Sequence, residues 1–470
     1  MFCLGFALVL LVLFAGCFSP WTGDEATLSI SLGGDPAGRV LITSGEQYTF
    51  AYEVLLDGPR GMQRETFPPG QTTASFRVFP GEYRVTVRGI GDRPSSAYSM
   101  FPPKTLRAWG VNMVDIKPGK TASASIEMYS AVEAENATQL GRAISQINTL
   151  GKAEIIVVKG TIKYTGQINI IGSPFPPNII LAAEEPAILD VSASPASNAP
   201  ITINGGKLTL GMPGMGGTLT IDGKNANCNY SLIEIGSGSL VMNDRVILQN
   251  RGNATNSTDT GGGVKVGGGG TFAMNGGIIR DNYAFDSSND AFGGGVFVDS
   301  GCKFTMYGGI ISNNNASSGS FDAFGGGVCV DIGGSFTMYG GLIAGNTGTG
   351  SNGLHGGGVG VVNTGTFTMV NGVIRGNWCE EGGGVYAGGG GTFTMNGGII
   401  EENRTDSAGG GVLVEYLSSF TMNGGIIRNN IADINNSGSD LGGGLCWYSG
   451  ASLTGWGVVF YGNKPDDIYP

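Results

Sequence analysis

Four aspartates have the spacing that chemistry needs. Asp290 and Asp322 each open the run Asp-Ala-Phe-Gly-Gly-Gly, and Asp299 and Asp331 each close a Val-X-Val triplet. Both pairs are separated by 32 residues. If segments 32 residues apart stack as neighbouring strands, each pair is brought to about 5 Å. Two carboxylates at that distance can hold Ca²⁺ through oxygen ligands, or flank a glycosidic bond as acid and base. The competing reading is a solvated loop acid copied along with its repeat. No Arg or Lys stands in register beside them; Lys303 is the nearest, four positions past Asp299. Other chemistries have few residues to work with. His355 is the one histidine, so a His-based triad or a His-rich metal site is out of reach. Apart from Cys3 and Cys17, the cysteines are Cys228, Cys302, Cys329, Cys379 and Cys446, with no Cys-x-x-Cys pair. Cys329 and Cys446 share a repeat position but lie four copies apart, about 20 Å along a stack, beyond disulfide reach. They read as free thiols.

The elements that must position these groups are written as a repeat. A 22-residue unit, seen at its plainest from Gly382 to Asn403, begins at Gly261, Gly293, Gly325, Gly356, Gly382, Gly409 and Gly442. Copy-to-copy steps are 32, 32, 31, 26, 27 and 33 residues. An Asn stands 21 positions after the first Gly every time: Asn282, Asn314, Asn346, Asn377, Asn403, Asn430 and Asn463. The length variation therefore lies between that Asn and the next Gly-Gly-Gly. A fixed core with variable spacers marks a solenoid. Residues 229–250 match in outline without the glycines, which makes Asn250 the expected eighth Asn.

With the first Gly as position 0, positions 3 and 5 are mostly Val, 11 and 13 are Phe and Met in six copies, and 18 is Ile in six. Each set has period 2, so each is a short strand with one buried face. Three such strands cannot bury that face alone. Coiling successive copies into a right-handed parallel β-helix does, stacking like side chains about 4.8 Å apart over a length of about 50 Å. The Asn fits a buried ladder at a bend, bonding its neighbours and taking the left-handed conformation. Outside, Tyr307 and Tyr339 share position 14, and Phe297 and Tyr386 share position 4. Such aromatics either bind sugar rings or pack across rungs. Position 17 is aliphatic throughout, which makes either a partner stripe or a floor for the spacers. Specificity is expected at outward positions 4, 6, 14 and 17 and in spacers 283–292, 315–324, 347–355 and 431–441.

Upstream the pattern changes. Residues 1–16 form a short apolar run with signal-peptide length, closed by Leu13-Phe14-Ala15-Gly16-Cys17. Residues 17–24 are a linker. Residues 25–130 alternate with period 2 between turn signals, which reads as a small antiparallel β-sandwich. Residues 131–470 are the solenoid. Residues 136–150 place Leu140, Ala143, Ile144, Ile147 and Leu150 on one helical face, a cap for the open end of the coil, with Asn136 or Thr138 as N-cap.

Several resemblances follow from these motifs. The Leu-Phe-Ala-Gly-Cys run resembles a bacterial lipobox, which implies lipidation of Cys17 and an extracytoplasmic protein anchored to the outer membrane or cell surface. Phe79 to Val87 resembles an edge hairpin of Ig-like or fibronectin-like modules. The helix before the first strand resembles the cap of pectate-lyase-like β-helices. The Gly-Gly-Gly-Val and Phe-Thr-Met-Asn motifs (Phe393–Asn396, Phe420–Asn423) are similar to repeats of chlamydial polymorphic outer-membrane proteins, and closer to those of spirochaetal surface lipoproteins. That family implies adhesion or binding to a glycan or a host or cell-surface protein. The chlamydial proteins end in a membrane barrel, whereas this chain stops seven residues after Asn463, so the membrane anchor is expected at the N-terminus. The net charge of −11 disfavours nucleic acid. No cofactor is expected, with Ca²⁺ as the open alternative. The alternatives to a binding protein are a polysaccharide lyase or hydrolase, and a structural envelope protein.

Overall fold

The computed structural model describes residues 26–31, 51–68, 71, 73–92, 104–124, 126, 129–150, 153–172, 177–194, 198–226, 229–252, 261–351, 353–432 and 442–469. The apolar run 1–16, the linker 17–24, Cys17, Cys228 and most of the last spacer (433–441) lie outside the described residues. Contacts divide the chain into two units, Met1–Ser130 and Ala131–Pro470.

The first unit is all β. Thr73–Val78, Ala26–Ser31 and Thr121–Ala124 make one sheet. Gly61–Phe67, Ala51–Gly58, Gly81–Asp92 and Lys104–Ile116 make another, antiparallel throughout. Alternate residues of both sheets, among them Leu28, Ile30, Val54, Leu56, Phe76 and Val85, bury one shared core. One pairing departs from the antiparallel expectation: Ala26–Ser31 runs parallel to Thr121–Ala124. The period-2 pattern specifies which side chains turn inward but carries no information on neighbour direction.

The second unit stacks parallel strands as a parallel β-helix does. Each copy contributes three strands, for example Val359–Val361, Thr366–Met369 and Val373–Arg375. Every strand pairs in parallel with its equivalent one copy away, with like residues opposite one another: Val359 on Val385, Phe367 on Phe393, Ile374 on Ile400. The interior follows from this register. Six phenylalanine rings, Phe272 to Phe420, lie face to face with centroids 4.6 to 5.0 Å apart. All six are buried, as are the Val, Met and Ile columns. Each buried ring contributes about 2–3 kcal/mol by leaving water. Glycines follow the Met because the chain must turn tightly over it. Gly309 has φ +92, and a Cβ there would sit 2.6 Å from Met274 Cε.

At the N-terminal end the helix α1 (Ala137–Leu150) closes the stack, with Leu140, Ala143, Ile144 and Ile147 in the same core. Asn136 is the N-cap, accepting from the Gln139 N–H at 3.1 Å.

The Asn ladder is present and continuous from Asn282 to Asn463. In each step the Oδ1 of one Asn accepts two bonds from the Asn of the preceding copy, from its backbone N–H and its Nδ2; for Asn346 to Asn377 these are 2.9 and 3.0 Å. The other Nδ2 hydrogen goes to the position-18 carbonyl of the preceding copy, as Asn377 to Ile343 O at 3.1 Å. The side chain is thereby saturated while fully buried. The third glycine of Gly-Gly-Gly makes room for it: a Cβ on Gly295 would lie 3.0 Å from Asn314 Nδ2.

Two expectations about the ladder are corrected. Asn250 is not its eighth member. The turn 243–245 holds one residue more than the equivalent turn after Met274, since Met242 pairs with Met274 but Ile247 pairs with Ile278. The ladder position therefore falls on Arg251, whose N–H donates to Asn282 Oδ1 at 3.2 Å. Asn250 instead bonds Asp222 Oδ1 at 3.0 Å. The left-handed residue is also not the ladder Asn but the one before it: Asn250, Asp281, Asn313, Glu402 and Asn429 have φ between 54° and 59°. The ladder amide then keeps a geometry that points its side chain inward.

The ends of the ladder are chemically distinct. Its acceptor end meets the backbone N–H of Arg251, a buried residue whose guanidinium bonds Tyr230 O at 3.0 Å and also Tyr283 O. Its donor end meets a carboxylate: Asn463 N–H and Nδ2 donate to Asp467 Oδ1 at 3.0 and 2.8 Å. Cation at the acceptor end and anion at the donor end follow the electrostatic logic that caps a helix dipole.

Candidate functional site

The acidic pairs lie where the repeat predicts, on adjacent rungs. Asp331 is buried and already engaged, accepting from Ile332 N–H and from Asn363 Nδ2, both at 2.9 Å. Asp299 accepts from Ser300 N–H at 2.6 Å. Asp290 accepts the Asp322 N–H at 3.1 Å. Burial, then repulsion from Asp322 and Asp286 against that hydrogen bond, raises the Asp290 carboxyl above its ordinary range. Among the described residues no three of His, Cys, Asp and Glu converge as metal ligands would.

Position 4 is not an outer surface. Phe297, Cys329, Tyr386, Leu413 and Cys446 are buried beneath the spacers, with Phe292, Phe324 and Tyr448 packed on them. The spacers are themselves stacked strands: Tyr283–Asp286, Asn315–Ser318, Thr347–Gly350, Trp378–Cys379 and Arg404–Thr405 in one sheet, and Ala291–Phe292, Asp322–Phe324 and Gly353–His355 in another. Sequence reading missed this second layer because spacer lengths vary. Its signal is present in Asp-Ala-Phe and Gly-Leu-His, which precede the glycines at one spacing.

That layer and the rung residues beneath it gather several strongly perturbed groups. His355 lies against Phe324 and Tyr386, with ring centroids 5.1 and 4.7 Å away. Its Nδ1 is 3.2 Å from Glu381 Oε2, at ion-pair distance. Burial works to lower the imidazole pKa, but Glu381, with Asp322 and Glu415 behind it, holds it above 6.5. The Tyr386 and Tyr448 hydroxyls are pushed far up, first by burial and then by Glu415 and Glu381 respectively. Burial pushes the Cys379 thiol up to about 12 and Cys446 to about 11. Thiols held neutral in this way are poor nucleophiles.

The opposite reading applies to Tyr307 and Tyr339. They are 55% and 48% exposed. Their rings stack on each other, 5.2 Å apart and 8° from parallel. The two facing sides are thereby occupied by the partner ring, which is the cross-rung alternative rather than a platform for sugar rings. Asn pairs continue the same column on both sides, Asn275 to Asn243 and Asn423 to Asn396, each 2.8 Å. Position 17 remains outward and half-buried from Ile278 to Ile426, and Val459 is exposed.

A surface that sequence reading overlooked lies between the buried Phe and Met columns. Positions 10 and 12 point out from the same strands, in the alternation seen at Thr366–Met369. From Gly325 onward every copy carries a hydroxyl at both: Ser335/Thr337, Thr366/Thr368, Thr392/Thr394, Ser419/Thr421 and Ser452/Thr454, in register. Part of this is structural. Thr366 Oγ1 donates to Gly334 O at 3.1 Å, and Ser419 Oγ to Thr392 Oγ1 at 3.2 Å. Yet simple copying does not account for it. Position 19, equally outward, reads Ala344, Arg375, Glu401, Arg428 and Tyr461 over the same five rungs. The signal that marks this face is therefore uniformity at one outward column and drift at another.

Comparison with protein-family models, with curated proteins and with solved structures returned no match.

Proposed function

We propose that this chain is a non-enzymatic, extracytoplasmic binding protein, anchored by a lipid on Cys17 and binding a neutral glycan through the Ser/Thr face of a right-handed parallel β-helix. The observation that carries the reading is the two-column hydroxyl array itself. Hydroxyls both donate and accept, and a face without charge gives up little hydration when a hydroxyl-rich polymer settles on it. Contact is by hydrogen bonding along the coil, not by ring stacking on Tyr307 and Tyr339. The test is a glycan array probed with the full chain and with Thr368→Lys/Thr394→Lys. Binding by the wild type and its loss in the variant are expected; equal binding by both overturns the reading. The anchor is checked separately by labelling with a palmitate analogue, which should mark the wild type and not Cys17→Ala. Equal labelling of the two ends the lipid proposal.

A second reading, a polysaccharide lyase or hydrolase, draws on one observation: Asp290, Asp322, Glu381 and Glu415 all act on the His355–Tyr386 cluster. Turnover of polygalacturonate or another glycan, with or without Ca²⁺, that is lost in Glu381→Gln or Asp331→Ala would replace the first reading with this one.

A further inference from the structure

Building on the neutral-glycan reading above, we infer that the polymer on the Ser/Thr face is a β-1,4-linked glycan in its extended ribbon form. It lies parallel to the coil axis, with one sugar ring on each rung. The linkage, the direction and the register all follow from the geometry of the face.

The step between rungs is fixed from inside. Phe336, Phe367, Phe393 and Phe420 stand between positions 10 and 12 of successive copies, with ring centroids 4.7, 5.0 and 4.6 Å apart. Their planes differ by only 7°, 6° and 3°. Neighbouring strands of an ordinary sheet are rotated by about 20–25°. Here the strands pair residue for residue and the rings between the hydroxyls stay parallel, so the strands hardly turn from rung to rung. The two hydroxyl columns therefore run straight along the coil. Across the coil they stand two residues apart, about 6.6 Å. Their side chains are half-buried or exposed in every rung from Ser335 to Thr454.

A face this straight selects among glycans. In a β-1,4-linked chain both glycosidic bonds leave the ring equatorially. The chain is straight, and each ring advances it by slightly more than one rung step. Successive rings turn over, so hydroxyls line both edges of the ribbon, and two parallel columns meet both edges at once. An α-1,4-linked chain leaves the ring axially at one end. It curls, and departs from a straight column after two or three rings. Uronic acids are disfavoured as well, because positions 10 and 12 of these five rungs hold hydroxyls alone and offer a carboxylate no cation. The hydroxyls already used within the protein, such as Thr366 Oγ1 donating to Gly334 O, can still accept from a sugar.

The test is calorimetric titration of the full chain in mild detergent with cello-, chito- and malto-oligosaccharides of three to five rings. Affinity should rise about fivefold with each added ring in a β-1,4 series, the cello or the chito, and stay flat in the malto series. Thr366→Val/Thr368→Val removes both hydroxyls of one rung and keeps the side-chain shape. It should weaken the pentasaccharide roughly tenfold and leave the trisaccharide within about twofold, because the three rungs from Thr392 to Thr454 still hold it. Equal losses at both lengths would mean that the glycan does not run along the columns, and overturn the inference. A malto series that binds as well as the β-1,4 series does the same. So does a glycan array on which only glycans of other linkage bind, and that result leaves the glycan reading standing. No binding to any glycan removes both.

Discussion

Two columns of identical side chains run along the same coil, and they are uniform for different reasons. The Asn column at position 21 is buried and every side-chain polar atom of it has a partner, from Arg251 N–H at one end to the Asp467 carboxylate at the other. The Ser/Thr columns at positions 10 and 12 face outward, on strands whose fold is set by the buried Phe and Met between them. The first uniformity is required by folding. The second is not, since position 19 shows how freely an outward column drifts here. Uniformity inside the repeat follows from packing; uniformity outside it is what the proposed glycan contact would account for.

The comparison can be broken most sharply at the ladder. Asn377→Ala removes the acceptor of Asn346 N–H and Nδ2 and the donor to Ile343 O and Asn403 Oδ1. Leaving such groups buried and unpaired costs roughly 1–3 kcal/mol each, so a loss of roughly 3 kcal/mol or more is expected in urea unfolding. Asp467→Ala strands only Asn463 at the end of the stack and should cost roughly 1–2 kcal/mol. Equal losses for the two would mean that the ladder does not act as a continuous network. Neither change should weaken glycan binding. Thr368→Lys should do the reverse, altering stability by less than about 0.5 kcal/mol while abolishing binding.

The smallest effect belongs to the spacer layer. The His355 imidazole is held above 6.5 in the folded chain. A raised pKa stabilises fully below the unfolded value and its contribution disappears as pH rises through the folded one. Wild-type stability should therefore fall relative to His355→Gln between about pH 6 and pH 8. Parallel pH profiles for the two proteins would show that the Glu381 contact does not hold the proton.

Much of the coil was legible because its interior is periodic. Val264, Phe272, Met274 and Ile279 recur at fixed offsets, and period-2 burial turns those offsets into strands. Asn250 was misread because one extra turn residue after Met242 shifts the register, and only the strand pairing reveals it. Position 4 was misread as exterior because varying spacer length masks the fixed spacing of Asp-Ala-Phe and Gly-Leu-His before the glycines, the one sign that the spacers fold back. The Ser/Thr face escaped notice because threonine is also what any outward strand position accepts.

The sequence by itself determined the rung: its three strands, its inward columns, its ladder and the helix that closes one end. These follow from short-range spacing and from the gain in burying apolar faces. Only the tertiary structure decided which outward columns stay outward, that Arg251 and Asp467 end the ladder, and that the spacers build a second layer around His355. Except for the Asp467 cap, which reaches Asn463 from four residues away, those outcomes depend on contacts between residues 20 to 35 positions apart, and no local pattern encodes what a neighbouring turn of the coil will place on top.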